Sequence, residues 1–226
     1  MKVTLTRFTQ NPIVAIEEAA SNCYNSEPTS EGRIMKSCYK SGHQSVLEFA
    51  DFTFHIEDVS RALLAQITRH RMASFAVRSQ RYVSELGFKY VRPKSIADNP
   101  ETDKIYKETM DIINNAYSEL QALGIKNEDA RMVLPNACTT VLEVKMNGRE
   151  LIHFMNERLC AKAQWEIREL ALKMRQCILE NEACSVFAEF LVPKCKAGQI
   201  HYCPEHKSCG QCPTAKQLIT KGGLSQ

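Results

Sequence analysis

Apolar and polar residues alternate along residues 2–8, with Val3 and Leu5 set between polar neighbours, and this period of two predicts a strand. Asn11-Pro12 then marks a helix start, and the helix is expected to run to about Ala20. A second helix is predicted over residues 33–39, broken at Gly42. The stretch GHQSVLEFADFTFHI leads into a strand in which Phe52, Phe54 and Ile56 face one way and Asp51, Thr53 and His55 the other. From Val59 the period lengthens to that of a helix. Ala62, Leu63 and Ile67 form its apolar stripe, while Gln66 and Arg69, three apart, lie on another face.

The second half reads in the same way. A short strand is expected over residues 88–93. Asn99-Pro100 supplies a cap and first-turn pair for a long helix ending at Gly124, with Ile105, Ile112, Ala116, Leu120 and Leu123 as its buried stripe. A shorter helix capped by Asn127 should stop at Pro135, and residues 139–146 read as a strand turning at Asn147-Gly148. Two helices follow, one over residues 149–159 and one in AKAQWEIRELALKMRQCIL, whose packing side carries Trp165, Leu170, Ala171 and Met174. Beyond Pro193 the composition shifts to Cys, Gly, Pro and Lys. The expected organisation is therefore a main domain over residues 1–192 and a Cys-rich tail over residues 193–226.

Composition narrows the classes. The chain is 226 residues long, 44% hydrophobic and 24% charged, which suits one sizeable core with an appendage. A net charge of +3 is too small for a nucleic-acid coat, so any polyanion site must be local. No apolar run approaches the length of a membrane span, and the start MKVTLTRFTQ lacks the apolar core of a signal peptide. A cytoplasmic protein without a membrane partner is expected, in which the ten cysteines are reduced thiols or metal ligands.

One segment stands apart. From Val59 to Ser84 there are five arginines, no lysine and no acidic residue, and the densest part reads RHRMASFAVRSQRY. A solvated basic face usually mixes lysine with glutamate, whereas arginine alone favours two-pronged recognition of phosphate or an anionic ring edge. Arg69-His70-Arg71, then seven residues and Ser79, then Arg81-Tyr82, resembles the signature of the flavin-dependent thymidylate synthases. GHQS at 42–45, QITRHR at 66–71, ARMVLP at 130–135, NGRELIHFMNER at 147–158 and AQWEIRE at 163–169 fall in that family's order, so the resemblance spans most of residues 1–190.

The resemblance implies an α+β fold, a curved and mostly antiparallel sheet flanked by helices, and a homotetramer with flavin sites where subunits meet. It implies methylation of dUMP at C5, with methylenetetrahydrofolate giving the carbon, NADPH the reducing equivalents and FAD carrying the hydride. By resemblance, Gln66, Arg69, Ser79, Gln80, Arg81 and Arg131 hold the nucleotide, and Arg158 holds the uracil edge and is the catalytic residue. His43, Ser45, Arg69, His70, Arg71, Asn147, Arg149 and His153 match flavin contacts. Dianionic phosphate suits a serine hydroxyl, backbone N–H groups and an arginine fork, and a fixed cation beside uracil N3 would make C5 a better nucleophile.

The chain departs from the family pattern at Ala76-Val77, where many members carry Asn-Glu, which leaves open a flavin enzyme for another pyrimidine nucleotide. In the tail, Cys209-x-x-Cys212 matches half of a structural zinc site, whose second half could come from Cys195 and Cys203 or from Cys203 and His206 at loose spacing. An RNA-binding module with a zinc tail is the competing class. A nucleic-acid surface would not need Gln66, Arg131, Asn147, Arg149 and Arg158 spread over three elements, so a nucleic-acid partner is not expected.

Overall fold

The computed structural model describes residues 1–29, 31–198 and 201–221. In chain order the elements are β1 (Lys2–Phe8), α1 (Pro12–Tyr24), α2 (Arg33–Lys40), β2 (Asp51–Ser60), α3 (Arg61–Ile67), β3 (Ser74–Val77) and α4 (Lys94–Ala97). They continue with α5 (Pro100–Ala122), α6 (Asn127–Ala130), β4 (Thr139–Asn147), α7 (Gly148–Arg158), α8 (Trp165–Leu179) and α9 (Ala215–Lys221). The strands form one sheet in the order β1-β2-β4-β3. Its register is antiparallel: Thr9 N–H donates to Asp51 O and Thr6 Oγ1 to Thr53 O, so partner numbers fall along β2 as they rise along β1. Along β2, Phe52, Phe54 and Ile56 are fully buried while their neighbours are half-exposed, and β4 repeats the alternation with Leu142, Val144 and Met146 inside.

Two compact units share these strands. The first comprises Met1–Lys2, His55–Arg69 and Phe75–Glu143; the second comprises Val3–Phe54, His70–Ser74 and the chain from Val144 onward.

In the first unit, Asn99 Oδ1 accepts from the N–H groups of Glu101 and Thr102, and Pro100 opens α5 as expected. The buried stripe of α5 is a different one. Met110 and Tyr117 are buried with Tyr106 and Ile113 beside them, spaced at i, i+4, i+7 and i+11, whereas Ile105, Ile112 and Leu123 are exposed. Both stripes have helical spacing. The aromatic one wins because its hydroxyls find partners: Tyr106 Oη donates to Val91 O at 2.8 Å, and Tyr117 Oη accepts from Glu85 N–H at 3.1 Å. The strand expected over residues 88–93 reduces to an isolated bridge from Tyr90 to Cys138, and β3, which the pattern did not mark, takes the place beside β4. Lys126 rather than Asn127 caps α6, because the Asn127 side chain accepts from Gln121 instead, and a 3-10 turn at Arg131–Val133 follows where a longer helix was expected.

In the second unit, α1 and α2 are tied by one fully buried carboxylate. Glu17 accepts from Thr29 N–H at 3.0 Å, Thr29 Oγ1 at 2.8 Å and Met35 N–H at 2.6 Å, and so fixes the connection between the helices. Along α8 the buried positions are Ile167, Leu170, Ala171, Met174 and Ile178. Trp165 is 45% exposed, contrary to expectation, because two residues before Ile167 lies about 200° around a helix of 3.6 residues per turn.

The corner from β4 into α7 is the tightest point. Gly148 N–H donates to Ala50 O at 2.7 Å, and a Cβ on Gly148 would lie 2.6 Å from Leu47 O and 2.9 Å from the Phe187 ring. Backbone cannot retreat as a flexible side chain can. Gly148→Ala should therefore lower the unfolding free energy by about 1–3 kcal/mol in urea titration, the usual cost of overpacking.

Candidate active site

The first unit carries the arginine-rich segment. Ser60 Oγ caps α3 by accepting from Leu63 N–H at 3.0 Å, and α3 ends at Ile67, leaving Arg69 exposed just past its Thr68 cap. Gln66 is half-buried, its amide turned to Ala62 O at 3.4 Å. After β3 the chain folds back in a turn: Ser79 O accepts from Val83 N–H at 3.0 Å, and Ser79 Oγ accepts from Arg81 N–H at 3.3 Å. Arg81 pairs with Glu128 at 3.3 Å and lies over the Tyr82 ring, while Arg131 Nε donates to Glu128 O at 3.1 Å. The fold thus gathers Ser79, Gln80, Arg81 and Arg131 into one polar neighbourhood.

Behind the turn lies a cluster that the sequence reading missed. Glu85 is 6% exposed, with Arg61, Arg78, Gln80 and the buried Cys138 around it. Burial pushes its carboxyl up, against the pull of Arg78, Arg61 and a Gln80 hydrogen bond. Burial and then the Glu85 charge push the Cys138 thiol up to about 11. That thiol stays protonated at neutral pH. The available signal was that Glu85 is the first acid after five arginines.

In the second unit a cleft of about 460 Å³ is lined by Gln44, Met72, Asn147, Arg149, His153 and Asn156, among others. Asn147 Oδ1 caps α7, accepting from Glu150 N–H at 2.9 Å. Arg149 pairs with Glu48 at 2.7 Å, and His153 is exposed one turn along α7. His43 and Ser45 are exposed on either side of Gln44, and Arg71 is exposed in the turn after His70. Asn156, which the sequence reading did not single out, has a buried Oδ1 without a partner.

His70 itself is buried, at 5% exposure. Arg158 Nε–H donates to His70 Nε2 at 3.1 Å, so Nε2 carries no proton, and Nδ1–H must then donate to Glu150 Oε1 at 2.9 Å. Burial first, then the Arg158 charge and then His153, lowers the His70 pKa to about 4. Burial raises that of Glu150. Asn147, Glu150, His70 and Arg158 form a chain in which a neutral imidazole anchors a guanidinium.

The structure brings three of the four tail cysteines together. Cys195, Cys203 and Cys212 bury together, Cys209 is exposed, and among the described residues no three His, Cys, Asp or Glu side chains are placed to hold a metal ion. An isolated parallel bridge joins Cys203 to Thr214.

An arginine-rich turn on one unit and a donor-lined cleft on the other offer the chemistry that anionic, nucleotide-like ligands require. The comparisons make this specific. The family model described as thymidylate synthase complementing protein matches residues 4–181. The chain is 40% identical to the flavin-dependent thymidylate synthase of Geobacter sulfurreducens, over 97% of this chain and 98% of that one. It is 38% identical to the flavin-dependent thymidylate synthase of Pyrococcus abyssi, over 92% of this chain and 91% of that one. A crystal structure of thymidylate synthase X from Helicobacter pylori with FAD and dUMP has the same fold, with a TM-score of 0.70 at 23% identity, over 84% of this chain and 99% of that one. The chain belongs to the flavin-dependent thymidylate synthase family.

The depressed His70 pKa has a thermodynamic consequence. Its folded pKa of about 4 lies below the ordinary 6.5, so as pH falls the unfolded chain takes up a proton first. The stability that depends on neutral His70 is complete above pH 6.5 and drains away as pH drops towards 4. Chemical denaturation should show the wild type losing about 3 kcal/mol more than His70→Gln between pH 7 and pH 4.

Proposed function

We propose that this chain methylates dUMP to dTMP, with methylenetetrahydrofolate as carbon donor, NADPH as reductant and FAD as hydride carrier. Family membership supports the reaction, and the observation that carries it to this chain's residues is the anchored Arg158. Uracil gains nucleophilic character at C5 as negative charge builds along its N3 and carbonyl edge, and a fixed guanidinium there stabilises that charge. A neutral imidazole holds the guanidinium without contributing an opposing charge. Arg158 is accordingly the catalytic residue of this reading, and His70, with both ring nitrogens engaged, is its positioning residue.

The phosphate falls to the Ser79-Gln80-Arg81 turn, with Arg131 and Gln66 on the nucleotide and Arg69 serving nucleotide and flavin. A serine hydroxyl, main-chain N–H groups and a guanidinium fork are the donor set a dianion needs.

The second-unit cleft fits a flavin by its chemistry. Asn147, Arg149 and His153 are donors, Met72 and Ile152 offer apolar contact, and the unpartnered Asn156 Oδ1 calls for a donor such as a ring N–H or a ribityl hydroxyl. Bound FAD would supply hydride transfer, while His43, Ser45 and Arg71 would complete its contacts from the cleft's rim. We assign the protein a homotetramer with flavin sites where subunits meet, and a cytoplasmic location. Among the described residues no helix is long and apolar enough to cross a membrane.

The test is turnover of dUMP, with dCMP as competitor, by the FAD-loaded protein supplied with methylenetetrahydrofolate and NADPH, and product identification by mass. dTMP as the sole new nucleotide is the expected result, and unchanged dUMP with flavin bound would remove the reading. Arg158→Lys keeps the charge but not the geometry, and kcat should fall about 100-fold with flavin retention unaltered.

A further inference from the structure

The cluster behind the anion turn has a role that neither the resemblance nor the family assigns. Five arginines precede Glu85 without any acid between Val59 and Ser84, and the fold returns two of them, Arg61 and Arg78, to within electrostatic reach of that carboxylate. Glu85 is buried, and its Oε1 has no partner. A carboxylate removed from water in this way is costly unless its surroundings compensate.

The surroundings are parts of the proposed phosphate site. Arg61 Nη2 donates to Arg78 O at 2.9 Å, the residue immediately before Ser79. Gln80, inside the turn, points its amide inward, to Glu85 and towards Cys138 Sγ at 3.7 Å. The Glu85 main chain is itself fixed, its N–H donating to the hydroxyl of the fully buried Tyr117. Arg61 Nε is buried and unpartnered in the same cluster. Arg78 and Arg131 each repel Arg61, and the Glu85 charge offsets that repulsion.

We propose that Glu85 is a positioning residue for nucleotide binding: its buried carboxylate holds Arg61, Arg78 and Gln80 in register and so shapes the Ser79-Gln80-Arg81 turn that receives the phosphate. This rests on the proposed function, and its sign separates it from a simple charge effect. Removing one negative charge makes the turn more positive, which by attraction alone would tighten dUMP binding. Loss of positioning weakens it.

The test uses the FAD-loaded full chain with Glu85→Gln and Glu85→Asp. Glu85→Gln should raise KM for dUMP about tenfold while kcat stays within about twofold and KM for methylenetetrahydrofolate is unchanged, the pattern of a lost ground-state contact. Glu85→Asp, which retains the charge and retracts it by one methylene, should shift KM for dUMP in the same direction by a smaller factor, and it carries the test if the glutamine variant does not fold. An unchanged or lowered KM for dUMP in the folded variant overturns the proposal. So does a fall in Tm accompanied by equal losses for dUMP and folate, which marks a structural role only. Wild-type protein run alongside separates the two levels: if it fails to turn over dUMP the proposed function falls, and calorimetric titration of the same variants with dUMP still decides whether Glu85 governs nucleotide affinity.

Discussion

A histidine that must stay uncharged is the constraint around which the second unit is arranged. His70 sits where water is excluded, between a carboxylate and a guanidinium. A protonated imidazole would have no acceptor for Arg158 and would face a second cation across a low-dielectric gap. Neutrality forces one tautomer, and the tautomer dictates the order of the chain: the cap Asn147 orients Glu150, Glu150 orients the ring, and the ring orients Arg158. Every link leads back to the start of α7, so the tight packing of Gly148 is also what aims the guanidinium.

The first unit solves a different electrostatic problem. The proposed phosphate site wants cations, yet cations placed close together without a counter-charge repel one another. The chain separates the two requirements in depth. Arg69 and Arg81 are exposed, where they can meet a ligand; Glu128 pairs with Arg81 at the surface, and a second carboxylate, Glu85, is buried behind the turn. The protonated Cys138 thiol at its flank adds a soft neighbour without adding charge.

Much of this was legible in the sequence wherever one residue type has one physical outlet. The alternation of β2 and β4, the Asn99-Pro100 cap and the turn at Asn147-Gly148 follow from local chemistry, and the family signature led to the arginine turn and to Arg158. Legibility failed where two answers share a periodicity. Ile105, Ile112 and Leu123 mark a helical face as clearly as Tyr106, Met110, Ile113 and Tyr117 do, and only the three-dimensional partners of the tyrosine hydroxyls decide between them. β3 is too short to declare itself by period, and it competes with residues 88–93, which look more strand-like and keep only a bridge. Glu150, Asn156, Arg61 and Glu85 were missed for a related reason. Each is an ordinary polar residue on a helix or turn until the fold encloses it.

Glu17 carries an implication for how the second unit comes together. A carboxylate that takes three hydrogen bonds from Thr29 and Met35 is useless to α1 alone, since Thr29 lies beyond the helix in a connection with little apolar content and Met35 lies in the first turn of α2. Until they arrive, burying Glu17 is unfavourable, and until Glu17 is buried the connection has nothing to close upon. The two events are therefore cooperative, and the amides of Thr29 and Met35 should exchange with solvent at a rate set by undocking of the α1-α2 pair rather than by local fraying.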